Sequence, residues 1–164
     1  MDRRTSSDSE NLAREAHQLM REWRVRREHQ DDRIRSVTSD VGAALQRWRN
    51  DSVRSVEDEV FVNEELGRIV STLTQLNELG RINNEKIVMR ARDLTEATRL
   101  DAGGQMAFLV ELCDEIHRVM DEDLPQRSSV LDAHEEAARR VESFIDYRLG
   151  PGTVDRRSKR FWRP

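Results

Sequence analysis

The sequence predicts an all-α fold: an elongated antiparallel helical hairpin or coiled coil, with two shorter helices forming a partial bundle. Three observations predict it. Apolar residues return at three- and four-residue spacing over long stretches, which is the helical period. Helix breakers are scarce, with 3 prolines and 7 glycines in 164 residues. Charged residues make up 37% of the chain and apolar residues 36%. That balance gives too little apolar mass for a thick core and suits long helices that bury a narrow stripe. No run rich in Val, Ile, Thr and Tyr alternates between turn clusters, so no strand is expected.

Residues 1–6 read as a short disordered lead. Ser7 and Glu10 in "SDSE" then form a capping-box pattern, the hydroxyl for one orphan N–H and the carboxylate for another. A helix over roughly 8–50 follows, carried by Leu12, Ala16, Leu19 and Trp23 and again by Ile34, Val37, Val41, Ala44, Leu45 and Trp48. Between these runs, "RVRREHQDDRIR" places Val25 alone among charges, and without Gly or Pro it reads as a solvated helical stalk. Asn50, Asp51 and Ser52 are turn and capping residues, which puts the hairpin turn near 50–55 within a long hairpin at 7–100.

The second arm, roughly 55–100, repeats apolar positions at alternating four- and three-residue steps: Val62, Leu66, Ile69, Leu73, Leu76, Gly80, Asn83, Ile87, Arg90, Leu94 and Ala97. This is the pattern of a coiled-coil seam. Gly80 and Asn83 are its weak centre. A seam asparagine fixes register and strand number at a cost in stability, so Asn83 is the expected register and oligomer determinant. The competing reading ends one helix at Gly80 and caps the next with Asn84.

Residues 103–149 form a two-helix segment expected to pack on the hairpin. The first helix carries the widest apolar face, from Met106 through Phe108, Leu109, Val110, Leu112, Cys113, Ile116, Val119 and Met120 to Leu124, and Pro125 is expected to stop it. Ser129 then caps a last helix bearing Leu131, Ala137, Ala138, Val141, Phe144, Ile145 and Leu149, which ends at "GPG". Because the last two helices are short, a two-helix stalk is expected beyond the bundle. Residues 150–164 read as a basic-aromatic tail.

Charge and cysteine content narrow the function classes. A net charge of −4 gives no global pull toward nucleic acid. Lys86 and Lys159 are the only lysines among 28 basic residues, so guanidinium chemistry dominates: forks that stack on rings and bridge carboxylates. One cysteine excludes an internal disulfide and predicts a reducing compartment. With no 18-residue apolar run and no apolar leader in "MDRRTSSDSE", a cytoplasmic or nuclear protein away from membranes is expected.

Each of the three tryptophans is followed by arginine: "REWRV", "QRWRN" and "RFWRP". Trp23 and Trp48 lie 25 residues apart, a rotation of about 340° that puts both on one helix face. Helical phase makes them seam anchors, and Trp and Arg are also the residues enriched at binding hot spots. Trp162 stands outside any periodicity. With Phe161, Arg160 and Arg163 it forms a tail suited to docking on a protein, for which the acidic residues between Glu111 and Asp123 are one candidate surface. Partner-binding candidates are therefore Trp23, Trp48, Phe161, Trp162, Arg160 and Arg163.

Cys113 and His117 are four apart, the spacing of two metal ligands, and Asp114 precedes His117 by three. The acid-x-x-His pair occurs once where a di-iron bundle needs two, so no metal or cofactor is expected. "AGGQM" lacks the lysine of a phosphate-binding loop, and no nucleophile elbow or H-E-x-x-H is present. The expected function is thus non-enzymatic: a coiled-coil adaptor, scaffold or complex subunit that binds proteins and self-associates. The second-ranked reading is a nucleic-acid-associated protein using the tail and the arginines of 21–27.

Overall fold

The structure, a computed structural model, describes residues 3–51, 54–97 and 102–150. Among them every element is helical: α1 (Arg3–Asn50), α2 (Val56–Ala97), α3 (Ala102–Arg118), a π-helical turn (Val119–Asp123) and α4 (Leu124–Leu149). The all-α expectation holds, and no described helix is long and apolar enough to cross a membrane.

Local chemistry sets the ends. Residues 3–6, expected as a disordered lead, are helical, so α1 begins ahead of the Ser7 cap. Between α1 and α2, Ser55 is the cap: its Oγ accepts the N–H of Asp58 at 3.1 Å. Glu57, Asp58 and Glu59 then fill the first turn of α2, where carboxylates meet the positive end of the helix dipole. Ser52, read as a capping residue from sequence, lies outside the described residues. Gly150 ends α4 with φ 84°, a conformation that glycine adopts without steric cost.

Neither the competing break at Gly80–Asn84 nor the expected stop at Pro125 occurs. Helix α2 runs unbroken through Gly80–Asn84. Pro125 does not stop the third helical stretch either, because α3, the π turn and α4 are consecutive. Proline inside an α-helix removes one backbone bond and clashes with the carbonyl four residues earlier. The π turn directly precedes Pro125, and Leu124 donates its N–H to Val119 O, one residue further back than in an α-helix. The wider turn accommodates the ring and allows the helix to continue.

The chain divides into two compact units, Met1–Gln30 with Leu76–Ser129, and Asp31–Gln75 with Val130–Pro164. In the first unit, Ala16, Leu19 and Trp23 of α1, Ile87 of α2, and Leu109, Leu112, Cys113 and Ile116 of α3 share one core, joined by Val119, Met120 and Leu124. In the second unit, Val41, Ala44 and Trp48 pack with Val62 and Ile69 of α2 and with Ala137, Ala138, Val141 and Ile145 of α4. Each core thus draws on three helical stretches. The helix passing Pro125 contributes Leu124 to the first core and Ala137, Ala138, Val141 and Ile145 to the second.

Candidate interaction surfaces

Polar side chains occupy the interior at two places. In the first unit, Arg127 is only 3% exposed. Its Nε donates to Leu76 O at 3.1 Å, and its Nη1 donates to Gln30 Oε1 at 3.0 Å. Gln30 Nε2 in turn donates to Leu124 O at 3.0 Å. Arg27 Nη1 donates to Gly80 O at 2.8 Å. A Cβ on Gly80 would lie 3.1 Å from a guanidinium nitrogen of both Arg27 and Arg127, so the absent side chain makes room for two arginines. Asn83, one turn on, is buried with no hydrogen-bond partner on Nδ2. A buried polar layer of this kind costs little when satisfied and a great deal when one member is removed.

In the second unit, His134 is 1% exposed. Thr72 Oγ1 lies 2.6 Å from its Nδ1 and donates back to Arg68 O and Ile69 O, both at 3.0 Å. With that hydroxyl proton used on the backbone, Nδ1–H is the donor to Oγ1, and Nε2 carries an unpartnered lone pair. The buried, unpartnered Nε2 favours the neutral imidazole, since a second N–H there would have no acceptor. Burial pushes its pKa below the ordinary 6.5, while a backbone contact at Ile69 and the charge of Glu135 pull the other way. A depressed histidine binds fewer protons folded than unfolded, so its contribution is complete above pH 6.5 and is lost as pH falls below that value. Glu142 has the opposite sign: burial, then Asp40 and Asp146, raise its pKa, against Arg139, so acid relieves it. Thermal melts between pH 8 and 5 are expected to show a loss of stability below 6.5 that His134→Leu flattens. An unchanged profile in that variant would remove His134 as its source.

The exposed end of the second unit carries an aromatic cluster. The Phe144 ring lies 5.9 Å from buried Trp48 and 4.5 Å from Phe61. Arg148 sits 5.5 Å over both Phe144 and Tyr147, and its Nη2 pairs with Asp58 Oδ1 at 3.1 Å. Beneath it Arg47 binds Asp146 at 2.6 Å and Gly150 O at 3.0 Å. Tyr147 is 79% exposed. Trp48, Phe144 and Phe61 thus form a run of ring contacts, and Arg148 lies over Phe144 and the exposed Tyr147. Such fixed aromatic and guanidinium groups lose little freedom on binding and are the chemistry of interface hot spots.

The residues singled out from sequence scatter. Trp23 is buried in the first core, with no partner for its indole N–H, and Trp48 is buried in the second. Each indole reaches a partner only through the fold it supports. Asn83 is interior. Phe161, Trp162, Arg160 and Arg163 lie outside the described residues. Cys113 packs in the first core with Sγ 3.9 Å from Leu12 O; burial, then Glu15 and Asp114, push its thiol pKa up. His117 turns instead to Glu15, 3.7 Å away. Sequence reasoning passed over Phe61, Phe144 and Tyr147 as a group, because Phe61 comes from α2 and the other two from α4, and Phe61 reaches Phe144 only on folding.

Fold and surface together define a class: an all-α helical bundle with two cores, an interior polar layer and an exposed aromatic-arginine face. No family model, curated protein or solved structure matches the chain.

Proposed function

We propose that this chain is a non-enzymatic interaction module, an adaptor or scaffold subunit that works by binding proteins, itself included. The observation that carries this reading is the Phe61–Phe144–Arg148–Tyr147 cluster, where apolar ring area is exposed and held in place by the Arg148–Asp58 pair. Solvent gives nothing in return for ordering these groups, whereas a partner surface offers both burial and stacking. Capture from extract with the tagged protein, compared with Tyr147→Ala and with Phe61→Ala, tests it. The expected result is a discrete partner whose binding falls about tenfold or more in each variant, the cost of truncating a hot spot. Equal capture by all three proteins would remove this face from the function. Loss of capture at 50 mM added salt in every form, with nucleic acid in the eluate, would favour the electrostatic alternative built on the arginines of 21–27.

A further inference from the structure

Two other surfaces, each complete within its own unit, fit one another. On the first unit, α1 and α2 leave a hollow of about 360 Å³ walled by Met20, Trp23, Ile87 and Val88, with Arg24 and Arg92 its only charged lining residues. Among the described residues neither arginine makes an ion pair, although the chain is rich in carboxylates. The hollow therefore combines apolar walls with two arginines, and Asn84 and Thr95 are its neutral polar lining.

On the second unit, the outer face of α2 has the converse character. Val56, Val60 and Val70 are 78%, 51% and 61% exposed. At about 100° per residue they fall within roughly 80° of one another, on the side turned away from buried Val62. Glu57 and Glu64 border this stripe on one flank, and neither is ion-paired among the described residues. Glu59 borders the other flank and, among the described residues, pairs with Arg54 at 3.4 Å. An exposed valine ridge between carboxylates is the helix that a hollow with apolar walls and two arginines accepts.

We infer that the occupant of the hollow is a second copy of this chain, whose α2 face at Val56, Val60 and Val70 enters it with the flanking carboxylates toward Arg24 and Arg92. Both partners of the contact exist in one sequence, and they are different patches. The association is therefore heterologous: each copy gives a ridge and receives one, so assembly continues until it closes into a ring or is capped. This inference rests on the protein-contact reading above and names its self-associating half.

Light scattering at increasing concentration, on the full chain and two charge-reversed variants, tests it. The wild-type mass is expected to rise above the 19.2 kDa of one chain. Arg24→Glu with Arg92→Glu disables the hollow, and Glu57→Arg with Glu64→Arg disables the ridge. Each is expected to weaken association by roughly 100-fold, since like charges then face each other. Mixed in equal amounts they are expected to give a 1:1 complex, the sound ridge of one in the sound hollow of the other. Val60→Arg and Val88→Arg are single-site alternatives, with circular dichroism to establish that every variant is folded. A wild-type chain that remains a monomer, variants that associate as strongly as wild type, or a mixture that stays monomeric would each overturn the inference. A monomer that still captures a different protein would overturn it while leaving the interaction-module reading in place.

Discussion

Replacing Arg127 by alanine is expected to lower the unfolding free energy by about 3 kcal/mol, within the range for removing one member of a buried charged network. The guanidinium gives one hydrogen bond to Leu76 O and one to Gln30 Oε1. Its loss leaves Gln30 Oε1 without that donor in the interior, takes the second donor from Leu76 O, and opens a void beside Gly80. Lysine keeps the charge and discards the planar fork, so Arg127→Lys is expected to recover less than half of the loss. Urea denaturation of the three proteins measures this directly. If alanine cost under 1 kcal/mol, the polar layer would be ornamental to the first unit, and Gly80 would need another explanation.

Trp48→Ala is expected to cost roughly 3–5 kcal/mol, the range for truncating a large buried aromatic. Trp48 sits in the second core beside Val41, Val62 and Ile145, and it supports the inner edge of Phe144. Truncation therefore undermines the exposed cluster as well, so partner capture is expected to fall even where the variant remains folded. Trp48→Phe keeps a ring at the site and is expected to cost about half as much. Denaturant melts alongside capture separate the two effects. Full capture by a folded Trp48→Ala protein would disconnect the core from the binding face.

Much of the fold was legible because helix is a local property. The periodicity that marked Leu12 to Trp23, Val62 to Ile87 and Leu109 to Leu124 corresponds to residues that are buried or half-buried, except Val110, which is exposed. Pro125 misled for a physical reason: a proline terminates an ideal α-helix, and nothing in its neighbours announces a π turn. A last helix that begins at Ser129 leaves Arg127 outside it. Yet Arg127, Leu131, His134, Ala138, Val141 and Ile145 follow one another at steps of four and three, and all are buried. Gln30 likewise falls seven residues from Trp23 and from Val37, on the seam of α1. Residue type argued for solvent at those positions and phase argued for the core; phase was the better guide.

The candidate surfaces were less legible, since they are made mostly of flank positions. Phe61 lies off the buried stripe of α2, whereas Phe144 is a half-buried member of the apolar pattern of α4. Only the pairing of α2 with α4 brings their rings to 4.5 Å. Val56, Val60 and Val70 carried no signal as a set, because exposed apolar residues look ordinary until the buried face of the helix is known. Gly80 is the converse case. It stood out in the seam as a weakness, and the reason for it lies in two arginines, one 53 residues away along the chain.

The central claim is that this protein works by holding other protein chains through surfaces its helices leave uncovered. The native mass of the protein in extract of the cells that make it, measured by size-exclusion chromatography with immunodetection, tests that claim most directly. The account predicts a species well above 19.2 kDa that shifts toward the single-chain mass when Tyr147 and Val60 are both replaced by arginine. A native species at the single-chain mass, unchanged by those replacements, would contradict it.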